Sequence, residues 1–327
     1  MRSTSSAPRD RRPSGGSPGG GRAIFRAALF LALLPLFAFT TCATVSLIDG
    51  QPLAAAASLE YARPSWRPFP IGEDGASSGV TDACLSYFSG RVSEPRLEFH
   101  ALRMSLSSPA LRIVARAGGG AQGDGNGALS AKVSSFVRDN GLLAGINALP
   151  FEPSSNREGE PRANVGVVVS DGRTLSPPHP RFDALVFFDG GGAAIMPQAR
   201  MRYAENIANA VGGFFRILKD GEPAPRTLGL RARHPRSAAG VSACGGFLYL
   251  LAIDGRRSGS VGATELETAL LLRALGAAQG INFDGGGSTA LAMRMPGGEV
   301  RVVNAPAHRR LRGGERAVAG VLGIALR

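Results

Sequence analysis

The sequence predicts an α+β fold in which a mixed, largely antiparallel sheet packs with a few helices. The chain has 327 residues, of which 44% are hydrophobic, so it can bury a sizeable core. Its 45 glycines favour many tight turns between strands over a helical bundle. Runs with strand periodicity outnumber helical ones, and the two kinds do not alternate as they do in a parallel βαβ fold.

Residues 1–43 are predicted to form a basic, disordered tail followed by an export segment. Six arginines and one aspartate occur in the first 26 residues, among many glycines, serines and prolines. The apolar stretch from Ala27 to Phe39 is shorter than the roughly 20 residues of a membrane span and is typical of a signal peptide. Cys42 follows at the position of a lipoprotein cysteine. Lipidation of Cys42, secretion after cleavage and an uncleaved membrane anchor all remain open, and each predicts a protein exported to the cell envelope.

The net charge of +12 does not indicate a nucleic-acid partner. Lys132 and Lys219 are the two lysines, which leaves 35 arginines among the 37 basic residues and indicates a compositional bias. No basic run is interleaved with aromatic residues, and no nucleic-acid motif is present. A mildly basic surface suits an anionic substrate. Cys84 and Cys244 could pair in an oxidising compartment, and the cysteines have no spacing typical of a metal site.

Residues 44–94 are rich in proline, alanine and serine and have weak periodicity, which predicts a linker or a loosely packed edge. Regular structure is predicted to begin near Pro95 and to form one domain over residues 95–327. Its first segments, "RLEFHALRMSL" and "LRIVARA", alternate apolar and polar residues as half-buried strands do. The next, "AKVSSFVRDNGLLAGINA", predicts a short helix, a stop at Gly141 and an apolar strand that ends at Asn147.

The middle of the chain predicts strands joined by glycine turns in "VGVVVSDGR" and "ALVFFDGGGAAIM", then a helical turn and a strand in "YAENIANAVGGFFRILKDGE". The segment "GFLYLLAIDGR" predicts a buried strand that ends in a turn. A helix is predicted over "TELETALLLRAL", with a capping box of Thr264 and Glu267 and a stop at Gly276. The strand "INF", the turn "DGGGS" and the strands "TALAMRM", "EVRVVN" and "AVAGVLGIAL" follow.

The motif Asp-Gly-Gly-Gly occurs twice, and the two copies predict different things. In "FFDGGGAAIM" nothing beside Asp189 offers chemistry, and Asp-Gly is a strong hairpin signal, so this copy predicts a turn. In "INFDGGGSTALAM", Asp284 lies at the carboxyl end of a buried strand and is followed by hydroxyl groups. Glycines let backbone N–H groups converge on an anion, and an aspartate at that place could act as acid, base, nucleophile or metal ligand. A simple tight turn is the alternative. The contiguous glycines and the absence of a following helix or lysine exclude the Rossmann and P-loop motifs.

Several segments together resemble the phosphodiester glycosidase domain family, over roughly Pro95 to Leu326. They are "HPRSAAGV", "AIDGRRSGSVGATELETALLLRALGAAQGINFDGGGSTAL", "VNAP" and "ERAVAGVLGIAL", with weaker likeness in "LEFHALRMSLSSPALRIVARAG" and "AGINALPF". The block containing "DGGGS" is the most specific of these. The resemblance implies an exported hydrolase that cleaves a sugar-1-phosphodiester, small or polymeric, into free sugar and a phosphomonoester.

The resemblance also implies site residues. Asp284, Asp254 and Glu267 are the candidate catalytic carboxyls, and the candidates for binding substrate or phosphate are Arg236, Asn147, Gly285, Gly286, Gly287, Ser288 and Thr264. The late matches fall on Asn304, Pro306, Glu315 and Arg316, and His234 could line the pocket. Each candidate has a structural alternative, such as a turn for Asp254 or the capping box for Glu267.

The chain departs from the family pattern at three places, of which the segment from Asn147 to Phe151 bears on the substrate because it could reshape the pocket wall. Ser237 replaces a threonine, Phe283 replaces a leucine, and the segment "NALPF" from Asn147 differs from the usual small and aromatic residues. Asp254 and Asp284 could share a divalent cation with the phosphate oxygens, and no other cofactor is implied. Two other functions stay open: a non-catalytic envelope module that binds polysaccharide or protein, and a phosphodiesterase that cuts the phosphorus–oxygen bond.

Overall fold

The computed structural model describes residues 65–69, 84–117, 128–153, 157–203, 205–229, 232–307 and 314–327. The predicted tail and export segment at 1–43, and much of the predicted linker at 44–94, lie outside these ranges. Within them, no helix combines the length and the apolar character that crossing a bilayer would require.

Three sheets contain most of the described strands, which are numbered along the chain. The first has the spatial order β1 (Arg67–Pro68), β2 (Leu85–Val92), β3 (Leu97–Ser105), β17 (Phe247–Ile253), β16 (Arg236–Val241), β18 (Gln279–Asn282), β14 (Phe215–Lys219) and β15 (Glu222–Pro223). The second has the order β10 (Arg173–Ser176), β9 (Val168–Ser170), β13 (Ile207–Gly212), β11 (Asp183–Phe188) and β12 (Ala193–Pro197). The third has the order β20 (Val300–Val302), β19 (Leu291–Arg294), β6 (Ala144–Asn147), β21 (Gly320–Leu326) and β4 (Leu111–Ala117).

A small sheet and two α-helices complete the described structure. The small sheet has the order β5 (Ala128–Leu129), β8 (Pro161–Asn164) and β7 (Phe151–Glu152), and the helices are α1 (Val133–Asp139) and α2 (Glu265–Leu275). The prediction of largely antiparallel sheets is confirmed, because all strand pairings recorded among the described residues are antiparallel. The fold is dominated by its sheets, so the α+β class describes it only in part.

Two segments contain more strand than the sequence predicts. Strand β2 lies before Pro95 and pairs with β3 along its whole length, although Ser89 and Gly90 weaken its strand pattern. The helical turn predicted near Tyr203 is a short 3-10 segment, Gln198–Tyr203, and the following residues form β13. Strand β13 lies between β9 and β11, so pairing on both sides overrides the weak strand preference of its alanines and asparagine.

The first Asp-Gly-Gly-Gly copy forms the hairpin turn that the sequence predicts. It connects β11 to β12, which pair in register from Asp183 opposite Pro197 to Phe187 opposite Ala193. Gly191 and Gly192 have φ angles of +89° and +83°, a backbone conformation that glycine adopts at little cost.

Elsewhere in the described structure, Cys84 and Cys244 are not joined by a disulfide.

The core forms on both faces of the first sheet. One face packs against the second and third sheets, and its buried residues include Leu102, Leu250, Ile281, Ile146, Leu185 and Leu322. The opposite face packs against α2, and its buried residues include Phe99, Ala238, Leu251, Leu271 and Leu272. Neighbouring residues of a strand point to opposite faces. Ala238 therefore faces α2 while Ala239 faces the other sheets, and the same alternation separates Arg236 from Ser237.

Candidate active site

The second Asp-Gly-Gly-Gly copy connects two sheets and is more than a hairpin turn. It starts after β18 of the first sheet, passes through a 3-10 turn at Gly286–Ser288, and enters β19 of the third sheet. The amide of Asp284 donates to the carbonyl of Ala148 at 2.8 Å, and the amide of Gly286 donates to the carbonyl of Pro235 at 2.8 Å. Gly286 has a φ of +63°, which favours glycine at that position. We call Asp284–Ser288 the site turn.

Asn147, at the end of β6, holds the site turn from one side. Its Nδ2 donates to the backbone carbonyl of Asp284 at 2.6 Å. Its Oδ1 accepts from the hydroxyl of Ser237 at 2.6 Å and from the amide of Ala290 at 3.1 Å. The side chain is 1% exposed, so these contacts place Asn147 in the support of the site turn.

Asn304 holds the residues that follow the site turn. Its Oδ1 accepts from the amide of Leu291 at 2.8 Å, and its Nδ2 donates to the carbonyl of Thr289 at 3.2 Å. The same Nδ2 lies 3.3 Å from Oδ1 of Asp254. Two buried asparagines therefore hold the backbone at the candidate catalytic aspartate and just after the site turn.

Both carboxylate oxygens of Asp254 are engaged within the scaffold. Oδ1 accepts from the amide of Ala305 at 2.8 Å as well as from Asn304, and Oδ2 accepts from Nη1 of Arg257 at 3.1 Å. Burial raises the pKa of Asp254, and these hydrogen bonds and the Arg257 charge oppose that rise. The contacts favour a structural role for Asp254, which anchors the loop after β20.

The guanidinium of Arg236 faces α2, on the side of the sheet opposite Ser237. Its Nε donates to the carbonyl of Ala263 at 3.0 Å, its Nη2 to the carbonyl of Ala232 at 3.2 Å, and its Nη1 lies 3.3 Å from Oε1 of Glu265. Burial lowers the pKa of Arg236, and the Glu265 charge opposes this. The structure therefore directs this predicted phosphate-binding side chain to the start of α2, and its binding of phosphate stays a prediction.

Thr264 and Glu267 form the capping box that the sequence predicts at the start of α2. The Thr264 hydroxyl accepts from the amide of Glu267 at 3.1 Å, and Oε2 of Glu267 accepts from the amide of Thr264 at 2.9 Å. Oε1 of Glu267 also pairs with Nη2 of Arg233 at 2.7 Å. The helix ends at Gly276, whose φ is +112°. Both oxygens of Glu267 are thus occupied by contacts that stabilise α2.

The Asp284 carboxyl has the strongest electrostatic perturbation among the predicted catalytic carboxyls. It is partly exposed, and the surrounding protein raises its pKa to about 6 by burial. A hydrogen bond with the Ser288 hydroxyl, the charge of Arg316 and the amide of Gly285 act in the opposite direction. A carboxyl with this pKa can exchange a proton near neutral pH.

Arg316, like Asn304, is a site residue that matches the family motif but to which the sequence assigns no role. Its Nη1 lies 3.4 Å from the Ser288 hydroxyl. The guanidinium fills the space beside Gly287, where a Cβ atom would lie 2.7 Å from Nη2. Among the described residues no carboxylate forms an ion pair with it, and its buried Nε has no hydrogen-bond partner. The unpaired charge next to Asp284 suits an anionic ligand.

The neighbour of Arg316 has a separate structural role. The Glu315 carboxylate accepts a hydrogen bond from the amide of Ser134 at 3.1 Å and another from the Ser134 hydroxyl, at the start of α1. Glu315 therefore holds the segment against α1 while the adjacent Arg316 reaches the site turn. The Glu-Arg match to the family was the sequence signal for this residue, but its function depended on the fold.

The three glycine amides do not all point at one anion. The amide of Gly285 donates to the Asp284 carboxylate, and that of Gly286 donates to Pro235. Only the Gly287 amide has no protein acceptor within the described part of the chain. Of the three glycine amides predicted to bind an anion, the Gly287 amide is therefore the one that a ligand could use without displacing a protein acceptor.

A cation shared by Asp254 and Asp284 stays a prediction. Within the described ranges, no group of three or more histidine, cysteine, aspartate or glutamate side chains is arranged to hold a metal ion. Asp254 would have to exchange its present partners to bind a cation.

A family model described as phosphodiester glycosidase matches residues 140–325. A hypothetical protein from Synechocystis has a similar structure, with a TM-score of 0.54 and 16% identity over 75% of this chain and 62% of that chain, so the match spans less than two thirds of that relative. The zebrafish N-acetylglucosamine-1-phosphodiester alpha-N-acetylglucosaminidase catalytic domain, auto-inhibited by its pro-peptide, gives a TM-score of 0.55 and 18% identity over 74% of this chain and 83% of that one. A putative exported protein from Burkholderia pseudomallei gives a TM-score of 0.51 and 18% identity over 70% of this chain and 74% of that one. At these identities the structural likeness shows the fold alone. No curated protein sequence gives a significant match.

Proposed function

We propose that this chain, which belongs to the phosphodiester glycosidase family, hydrolyses the bond between the anomeric carbon of a sugar and the phosphate of a sugar-1-phosphodiester. The products are the free sugar and a phosphomonoester. The observation that carries the proposal is the Asp284 carboxyl, whose pKa is raised to about 6 beside the Arg316 charge and the Ser288 hydroxyl. The activity for which the zebrafish relative is named belongs to the same class.

Arg316 is the phosphate-binding residue in this proposal. Its planar guanidinium matches two phosphate oxygens, and no carboxylate among the described residues lies within ion-pair distance of it. The Gly287 amide lies beside it and adds a donor, while the Ser288 hydroxyl donates to the Asp284 carboxylate and accepts from Arg316. Cleavage of the carbon–oxygen bond places a second negative charge on the phosphate, so donors fixed at this position stabilise the transition state. Arg236, Asp254 and Glu267 then support the site through the contacts described above.

Asp284 acts in its ionised form in the proposed reaction. The second pKa of a phosphomonoester is about 6, so the departing phosphate needs little help from a proton donor. A water oxygen forms a bond to the anomeric carbon, the carbon–oxygen bond to phosphate breaks with its electron pair going to phosphate, and the water proton moves to Asp284. Direct attack by the carboxylate, followed by hydrolysis of the glycosyl ester, also requires the ionised form.

The pH dependence of activity follows from this requirement. We expect kcat/KM to rise as the pH passes about 6, the pKa of Asp284. An activity that falls through the same pH range would show that the protonated carboxyl is the active form.

The reaction is tested by incubating the full chain with a panel of sugar-1-phosphodiesters and measuring released reducing sugar. In oxygen-18 water, we expect the label to enter the sugar. Label in the phosphate would identify a phosphodiesterase, and no release from any compound would favour a non-catalytic binding module of the envelope.

Export and membrane attachment form a separate proposal that rests on residues 1–43 alone. A protein retained by lipidated Cys42 is expected in the membrane fraction, and Cys42→Ser is expected to release it if lipidation is the only anchor. Recovery of the wild-type protein in the cytosol after cell fractionation would contradict export.

A further inference from the structure

The guanidinium of Arg256 also lies against the site turn. It lies beside Gly286, whereas Arg316 lies beside Gly287. A Cβ atom on Gly286 would lie 3.1 Å from Nη2 of Arg256 and 3.6 Å from its Cζ. Arg256 therefore occupies the place of a side chain at Gly286, as Arg316 does at Gly287. Two cationic groups thus flank two consecutive residues of the site turn.

Arg256 has no carboxylate partner among the described residues, although the next residue has two. Arg257 pairs with Glu98 at 2.8 Å and with Asp254 at 3.1 Å. Arg256 has a φ of +60°, an uncommon conformation for a residue with a side chain. This backbone conformation turns two neighbouring arginines in different directions, one to the scaffold carboxylates and one to the site turn.

The hydrogen-bond partner of Arg256 is His234. The Arg256 Nη2 atom lies 3.5 Å from Nδ1 of His234. Burial lowers the pKa of His234, and the charges of Arg236 and Arg256 lower it further. These effects disfavour the protonated imidazole, and the guanidinium of Arg256 belongs to an exposed residue.

Arg316 and Arg256, neither of which has a carboxylate partner among the described residues, contact different groups. Arg316 is half-buried, contacts Ser288 and acts on the pKa of Asp284. Arg256 is exposed, contacts His234 and acts on the pKa of that residue. An anion held by Arg316 would lie beside the reacting groups, and an anion held by Arg256 would lie farther out along the site turn.

We propose that Arg256 and His234 form an outer anion-binding position, and that the preferred substrate is a sugar-1-phosphodiester whose second alcohol carries another phosphate group. This inference rests on the proposed function, because it takes the Arg316 position as the place of the reacting phosphate. Repeating sugar-phosphate or polyol-phosphate polymers have the required chemistry, since a phosphate recurs at a fixed spacing.

The test measures binding by calorimetry and does not depend on turnover. The probes are the monophosphates and bisphosphates of ethane-1,2-diol, propane-1,3-diol and butane-1,4-diol, titrated into the full chain. We expect at least one bisphosphate to bind wild type about tenfold more tightly than its monophosphate, the effect of one added charge-assisted contact. Arg256→Gln should remove most of that advantage. Arg173→Gln, which removes an exposed arginine of β10, should retain it.

Two results would overturn the inference. One is equal affinity of wild type for each monophosphate and its bisphosphate. The other is an Arg256→Gln variant in which both probes weaken by the same factor, since that would place Arg256 and Arg316 on a single phosphate. Failure of the hydrolysis assay with normal bisphosphate binding would instead contradict the proposed function and leave the outer position intact.

Discussion

At the scale of single residues, the candidate site separates into side chains that hold the site turn and side chains that remain available to a ligand. Asn147 and Asn304 use their amides on the backbone around Asp284. Arg316 and the Asp284 carboxyl are less completely used. A fixed backbone under a perturbed carboxyl is an arrangement suited to catalysis, because the reacting groups need little reorganisation.

Replacing Asp284 tests the proposed chemistry directly. We expect Asp284→Asn to lower kcat/KM by about 100-fold or more, the contribution typical of a general base. The matched control is Asp189→Asn in the first Asp-Gly-Gly-Gly copy, which forms a hairpin turn. Initial rates on the best substrate of the panel provide the measurement. Equal rates for Asp284→Asn and wild type would remove this carboxyl from the mechanism.

The raised pKa of Asp284 also predicts a pH-dependent cost to stability. Its pKa is about 6 in the folded chain against an ordinary value of 3.8, so the folded state binds the proton more tightly. Below the ordinary value there is no cost; the cost grows as the pH rises from 3.8 to about 6, where only the unfolded chain has lost the proton, and it stays constant at higher pH. Urea unfolding should find Asp284→Asn similar to wild type near pH 4 and more stable by up to about 3 kcal/mol at pH 7.5. A difference that does not change with pH would contradict the raised pKa.

At the scale of elements, the two Asp-Gly-Gly-Gly turns share a sequence and differ in what surrounds them. A Cβ atom on Gly190 of the hairpin would meet nothing within 4 Å, while one on Gly287 would meet the Arg316 guanidinium at 2.7 Å. Neither residue has a positive φ, so neither substitution is strained by its backbone. The two positions therefore differ in the space available for a side chain, which is open at Gly190 and occupied by Arg316 at Gly287.

This contrast predicts different results for the same substitution. Gly287→Ala should displace Arg316 and lower kcat/KM by about 10-fold or more, since a misplaced charge-assisted contact costs about 1.5 kcal/mol or more. Gly190→Ala should leave kcat/KM at the wild-type value. Steady-state kinetics with both variants decides the matter, and wild-type activity in Gly287→Ala would show that Arg316 need not occupy its present position.

The sequence predicts elements well where the signal is local. The capping box at Thr264, the helix stop at Gly276 and the hairpin after Phe188 follow from neighbouring residues, and all three are present. Strand β13 was not predicted, because its stability comes from pairing with β9 and β11 and not from its own residues. The role of Arg316 also depended on distant contacts, because its motif did not indicate which of Glu315 and Arg316 reaches the site turn.

At the scale of the whole molecule, the candidate site lies where the first and third sheets meet. Asn147 ends β6 of the third sheet, Ser237 belongs to β16 of the first, and the site turn runs from one sheet to the other. The bond between Ser237 and Asn147 is 2.6 Å long and buried on both sides. Because Asn147 also contacts the Asp284 carbonyl, the position of Asp284 depends on how the two sheets are aligned.

A double-mutant cycle measures the coupling between Asn147 and Ser237. We expect Asn147→Ala and Ser237→Ala to be non-additive in the free energy of unfolding by about 1 kcal/mol, because each removes the same hydrogen bond. Thr264→Ala, on the α2 side of the first sheet, should cost about 1 kcal/mol and add simply to Ser237→Ala. Urea unfolding of the single and double variants gives both couplings. Strict additivity between Asn147 and Ser237 would show that their contact does not couple the sheets.

The position of β21 has a consequence for synthesis on the ribosome. This strand, Gly320–Leu326, lies between β4 and β6, which precede it by more than 170 residues, and Arg316 comes just before it. While the nascent chain is still growing, β4 and β6 have no strand to join them and their unpaired backbone groups need protection from aggregation. Arg316, the proposed phosphate-binding residue, is also synthesised after the other residues of the candidate site, so a chain translated only to Gly287 lacks part of that site.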